Sequence, residues 1–112
     1  MRIISGKFGG RRIHPPAHMP HTRPTTDIAK EGLFNILQNR VAIDGATTLD
    51  LFGGTGCISY ELASRGAEQL TIVEKDKTML DFIKNPRITN TCTSNHNSVN
   101  TIAIAVFNSF FR

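Results

Sequence analysis

Asp50, Phe52, Gly54, Gly56 and Glu74 are the residues of this sequence whose types and spacing could do chemistry. They lie in Leu49-Asp50-Leu51-Phe52-Gly53-Gly54-Thr55-Gly56, with Glu74 eighteen residues beyond Gly56. An apolar run that breaks into glycines, then a helical stretch, then a second apolar run ending on a carboxylate reads as a βαβ unit for a nucleotide-type ligand. Glycine lets the backbone approach such a ligand closely, and one Glu can accept hydrogen bonds from both hydroxyls of a ribose. The loop is not a dinucleotide fingerprint, because Ser59 stands where the last glycine belongs. It is not a P-loop either, since no Gly-Lys-Ser/Thr ending follows. Asp50, placed ahead of the glycines, would repel a pyrophosphate and attract an ammonium or sulfonium group. S-adenosylmethionine carries both cations, a carboxylate suited to a helix N-terminus and a ribose for Glu74. It is therefore the expected cofactor, and Asp50 and Ser59 disfavour a nicotinamide dinucleotide.

The elements that must position these residues are readable on either side of the loop. Residues 47–52 read as a strand, and residues 57–65 as a helix with Ile58, Leu62 and Ala63 inward and Gly66 just past its end. Residues 69–74 form the second strand. Asp76 can cap a further helix through Lys84, with Met79, Leu80 and Ile83 inward and Pro86 ending it. Ahead of the loop, Thr25, Thr26 and Asp27 supply capping side chains. Ala29, Leu33, Ile36 and Leu37 then recur at helical spacing, with Phe34 beside Leu33. Residues 2–13 hold two short strand-like pieces around glycines, so a β-hairpin arm is expected, and Pro15, Pro16 and Pro20 punctuate the loop after it. Residues 89–98 are a polar run without periodicity, as in a tail. The apolar run 102–107 could be a strand, but nothing in the sequence identifies its neighbour.

Composition and charge narrow the partners. At 112 residues one domain is the natural count. No segment approaches the roughly twenty apolar residues of a membrane span, and the N-terminus has no apolar signal-peptide core, so a cytoplasmic setting is expected. Cys57 and Cys92 offer neither a disulfide framework nor metal-type spacing. His14, His18 and His21 sit among prolines and read as loop or RNA contacts, with no metal expected. Residues 1–24 hold five basic side chains and no acid, whereas from Val41 onward six basic residues face seven acidic ones. The excess charge thus sits on the arm, as expected of a segment that meets a polyanion. Glu61, on the helix after the glycine loop, reads as a residue of a solvated face with no role.

Three segments together resemble the bacterial small-subunit ribosomal RNA guanine-N2 methyltransferases, the RsmD-like family. They are the loop from Asp50 to Gly56, Ser64-Arg65-Gly66-Ala67, and Val73-Glu74-Lys75-Asp76. Arg2-Ile3-Ile4-Ser5-Gly6-Lys7 with Gly10-Arg11-Arg12 is similar to that family's opening hairpin. Thr22-Arg23-Pro24-Thr25-Thr26-Asp27 with the helix after it is similar to its pre-domain element. The resemblance covers residues 1 to about 85. It implies an α/β fold: the N-terminal part of a Rossmann-like S-adenosylmethionine-dependent methyltransferase, preceded by a β-hairpin arm. The implied division is a basic arm and Pro-rich loop over 1–24, a partial methyltransferase domain over 25–85, and a tail over 86–112 that does not match the family. Asp50, Phe52, Gly54, Gly56 and Glu74 would hold the cofactor, and Arg2, Lys7, Arg11, Arg12, Arg23, Thr25 and Thr26 would meet RNA, the last three near the cofactor mouth. The implied reaction methylates the exocyclic N2 of a guanine in 16S rRNA, with the 30S subunit as partner.

The same family carries an Asp/Asn-Pro-Pro-Tyr/Phe motif that holds the target amine, and this sequence has none. No catalytic residue is therefore assigned, and a truncated or frame-shifted methyltransferase with little or no activity is expected. A non-catalytic RNA-binding fragment that uses the basic arm is the alternative. Two strands and three helices leave the sheet incomplete, so self-association through uncovered sheet edges is expected.

Overall fold

The computed structural model describes residues 1–19, 23, 25–85 and 101–106. The expectations for Pro20, His21, Thr22, Pro24, Pro86, Cys92 and the rest of the tail lie outside the described residues. Three helices and three strands follow in the order α1 (Asp27–Leu37), β1 (Thr47–Asp50), α2 (Cys57–Ser64), β2 (Gln69–Glu74), α3 (Lys77–Lys84) and β3 (Thr101–Val106). The strands form one parallel sheet in the order β1-β2-β3. Thr47 stands opposite Gln69 and Asp50 opposite Ile72, while Gln69 stands opposite Thr101 and Glu74 opposite Val106. The neighbour that the sequence leaves unnamed for the last apolar run is therefore β2.

Local chemistry sets the helix ends. The Thr26 hydroxyl accepts from the Ala29 N–H at 3.2 Å to start α1, and the Asp76 carboxylate accepts from the Met79 N–H at 3.2 Å to start α3. Leu70 and Ile72 point to the same face of β2 and are buried there. Two apolar clusters cover that face. Phe34, Ile43, Ala63 and Ala67 gather at Leu70, and Tyr60, Phe82 and Ile83 gather at Ile72.

The expected hairpin is present as one antiparallel bridge between Arg2 and Arg12. It is no loose tail: Ile3, Phe8 and Ile13 are buried in the Ile72 cluster. This covering explains why α2 is buried nearly all round, at Ser59, Tyr60, Glu61, Ala63 and Ser64. Two expectations are corrected by it. Glu61 is fully buried rather than solvated, because the arm lies over it. In α1 the inward residues are Lys30 and Phe34, with Leu37 half-buried, while Leu33 and Ile36 are 41% and 57% exposed. The helix is turned because Lys30 reaches Glu61 at 3.5 Å and the Phe34 ring lies 4.6 Å beneath the Arg65 guanidinium.

Among the described residues β1 pairs only with β2, and Leu49 and Phe52 near its open edge are 63% and 81% exposed. An unpaired edge beside apolar side chains templates association. The chain is expected to associate as its concentration rises, and Leu49→Lys to shift it toward monomer in sedimentation velocity; equal sedimentation of both proteins would contradict this.

Candidate functional site

Because β1 and β2 are adjacent and parallel, their carboxyl ends open on one side of the sheet, where ligands of such folds bind. Asp50 is the last residue of β1 and Glu74 the last of β2. Between them the chain turns through Gly54 and Gly56, at φ of 54° and 81°. Gly56 is required twice over. Its φ is left-handed, and a Cβ there would sit 3.0 Å from the Tyr60 ring. The glycine thus serves the packing of α2 as well as any ligand. No side chain caps the start of α2, which follows directly from the turn at the carboxyl end of β1.

Both carboxylates are held by the loop itself. Glu74 Oε2 accepts from the Gly54 N–H at 2.6 Å, and Oε1 accepts from the Lys75 and Asp76 N–H groups at 2.8 and 3.0 Å. A carboxylate oxygen has two lone pairs, so Oε1 is filled and Oε2 retains one. Glu74 can accept one ribose hydroxyl as it stands, and a second once Gly54 releases it.

Asp50 Oδ1 accepts from the Phe52 N–H at 3.2 Å and Oδ2 from the Ser59 hydroxyl at 3.3 Å. Burial pushes the Asp50 carboxyl above the ordinary aspartate value; the Phe52 and Ser59 hydrogen bonds lower it in part, and the Glu74 charge raises it again. The folded state therefore holds this proton more tightly than the unfolded chain does. Stability falls as pH climbs from the ordinary aspartate value through the raised one. Asp50→Asn is expected to melt above the wild type at neutral pH, with the gap closing in acid. Melting curves across a pH series check this, and a gap that does not change with pH would contradict it.

Leu51, Phe52, Glu74 and Lys75 line a cleft of about 80 Å³ at this end of the sheet. Ligand pockets span about 300–1,000 Å³, so the cleft that the described residues form is too small to enclose such a ligand.

The arm residues gather elsewhere. Arg2, Arg12, His14, Met1 and Asp27 surround a cleft of about 330 Å³, and Thr25 and Thr26 line an adjoining one of about 270 Å³ with Met1, Pro15 and Asp27. Neither shares a residue with the cleft at Glu74. Lys7 and Arg11 lie over the Phe8 ring at 5.6 and 4.7 Å, and Arg23 is exposed. Among the described residues no group of three His, Cys, Asp or Glu side chains could hold a metal ion. No helix among them is long and apolar enough to cross a membrane.

The residues that sequence reasoning misses are Ser59 and Glu61. Ser59 counts there only as the break in a dinucleotide fingerprint, yet its hydroxyl holds Asp50. Its signal is a small polar residue one turn into an otherwise buried helix. Glu61 has one partner at a readable spacing, Arg65 four residues on, while the others are Lys30 and the Ile4 and Ser5 amides of the distant arm.

Parallel strands, a glycine turn at the end of the first and a carboxylate at the end of the second define a class: the opening part of a Rossmann-like nucleotide-cofactor fold. A family model described as Conserved hypothetical protein 95 matches residues 1–109, and the chain belongs to that family. The match runs past Asn85, where the sequence resemblance ends. Among its relatives is the ribosomal RNA small subunit methyltransferase D of Haemophilus influenzae, 38% identical over 94 residues and covering 84% of this chain and 47% of the relative. The protein of the same name from Escherichia coli strain K12 is 42% identical over 86 residues, 76% of this chain and 42% of the relative. A solved hypothetical protein of Thermus thermophilus superposes with a TM-score of 0.70 at 30% identity, over 95% of this chain and 54% of that one. The structure of yhhF from Escherichia coli gives 0.66 at 31% identity, over 92% and 51%. The chain thus spans less than half the length of the curated relatives, and its fold is the N-terminal part of their Rossmann-like methyltransferase fold.

Proposed function

We propose that this chain is the cofactor-binding part of an S-adenosylmethionine-dependent methyltransferase that acts on the N2 amine of a guanine in 16S rRNA, presented in the 30S subunit. One observation carries the reading: Asp50 and Glu74 flank the Gly54-Thr55-Gly56 turn at the carboxyl ends of adjacent parallel strands. The donor set fits the cofactor. Two carboxylates attract its cationic groups, the remaining lone pair of Glu74 takes a ribose hydroxyl, and the α2 N-terminus, which has no side-chain cap, suits its carboxylate. Phe52, exposed at the cleft rim, offers an apolar face. When bound, S-adenosylmethionine supplies an electrophilic methyl group.

Arg2, Lys7, Arg11 and Arg12 on the arm, with Arg23, Thr25 and Thr26, would meet RNA phosphates, and the target guanine must be unstacked to expose its amine. The sequence holds no Asp/Asn-Pro-Pro-Tyr/Phe motif to hold that amine, so binding without appreciable transfer follows. The small cleft volume favours the second reading, an RNA-binding module that takes no cofactor.

Titration calorimetry separates the two readings. Saturable heat with S-adenosylmethionine and none with a nicotinamide dinucleotide is expected. RNA binding with no heat from S-adenosylmethionine would leave the second reading standing.

A further inference from the structure

We infer that Glu61 is a positioning residue that fixes the basic arm on the domain, an inference that rests on the reading of the arm as RNA-facing. Glu61 is fully buried on α2 and lies outside the cofactor loop. Its Oε1 accepts from the Ile4 N–H at 2.7 Å and faces the Lys30 ammonium at 3.5 Å. Its Oε2 accepts from the Ser5 N–H at 3.1 Å and from Arg65 Nε at 3.0 Å. Four donors thus converge on one carboxylate, two from the arm and two from the helices beneath it.

Lys30, itself buried on α1, also donates to the Arg2 carbonyl, so the segment carrying Arg2 is held from two sides. Ser64, one turn along α2, completes the seat: its hydroxyl accepts from the Phe8 N–H at 2.9 Å and donates to the Ser5 carbonyl at 2.6 Å. A buried carboxylate is costly unless paired and fully hydrogen-bonded. Here the cost is met by donors that the arm supplies only in this one position.

The consequence is a fixed placement of charge. Arg2 and Arg12 stand directly opposite one another in the bridge, where like charges repel. Among the described residues no carboxylate forms an ion pair with either side chain. Both line one cleft with His14 and Asp27, whose carboxylate accepts from the Arg2 N–H at 3.3 Å; a backbone fixed in this way lowers the ordering cost of binding a phosphate there. Glu61 and Lys30 hold the strand that keeps this pair in register. The buried network carries two cations and one anion, so nothing in it offsets the positive charge of the arm.

Glu61→Gln tests the role with little change of volume, because its amide NH₂ must face two of the four donors. The probe is a 16S rRNA transcript bound by the full chain, with Arg2→Ala, Glu61→Gln and the double variant compared in one cycle. Glu61→Gln is expected to weaken binding about ten-fold, and adding Arg2→Ala to it to cost less than about two-fold more, a non-additivity that marks a shared task. The amide NMR shifts of residues 53–56 should stay in place. Wild-type affinity in Glu61→Gln, or full additivity, overturns the inference. Wild-type affinity in both Arg2→Ala and Arg12→Ala overturns the RNA-facing reading of the arm, and the inference with it. Should Glu61→Gln fail to fold, hydrogen exchange of the wild type decides: slow exchange at the Ile4 and Ser5 amides supports the seat, and free exchange there refutes it.

Discussion

Gly6→Ala is expected to unseat the N-terminal arm and lower the melting temperature by the order of 10–20 °C, an effect of about 3 kcal/mol in a chain of this size. Gly6 has a φ of +85°, and a Cβ built there would lie 2.1 Å from the Ser64 backbone oxygen and 2.5 Å from its carbonyl carbon. Neither atom can swing aside, since both belong to the last turn of α2. The neighbouring Lys7 N–H donates to that same Ser64 oxygen at 2.7 Å, so the arm cannot retreat without losing the bond. Pushing it away also exposes Ile3 and Phe8, which are 1% and 3% exposed, and strips Glu61 of two donors. Differential scanning calorimetry of the two proteins measures the loss; a shift below about 4 °C would mean that the arm contributes little.

Glu74→Ala is expected to lower the affinity for S-adenosylmethionine about thirty-fold, the loss of one charge-assisted hydrogen bond of about 2 kcal/mol. On the proposed reading, the change removes the acceptor for a ribose hydroxyl and one of the two carboxylates that would attract the cofactor's positive groups. It also frees the Gly54, Lys75 and Asp76 amides that Glu74 now holds, so the turn loses its shape as well as its charge. Glu74→Gln, which keeps an acceptor and loses the charge, should fall between the two. Binding to Glu74→Ala within three-fold of wild type would remove Glu74 from the site.

How much of the fold and site is legible in the sequence depends on the range of the interactions. The caps at Thr26 and Asp76, the turn at Gly66 and the order of strand, loop, helix and strand can be read because each rests on residues within a few positions of one another. The carboxylate pair Asp50 and Glu74 is legible for the same reason, as the two ends of one βαβ unit. The face of α1 is misleading because its periodicity favours Leu33 and Ile36, while the tertiary pull on Lys30 and Phe34 comes from α2. Glu61 escapes a local reading because the arm segment that buries it lies 56 and 57 residues away in sequence. The partner of β3 is invisible for a related reason: a parallel pairing leaves no mark on either strand alone. A charged residue amid buried helix positions signals a partner from elsewhere in the chain, and Glu61 between Tyr60 and Leu62 is such a residue.

That the turn between Asp50 and Glu74 is built to hold S-adenosylmethionine is tested most directly by titrating the isotope-labelled chain and following its amide NMR signals. Saturable shifts confined to residues 52–56 and 74–76 are expected, largest at Gly54, whose N–H must part from Glu74 to admit both ribose hydroxyls. Spectra that do not change with S-adenosylmethionine, or changes that fall on the arm and spare the loop, would contradict it.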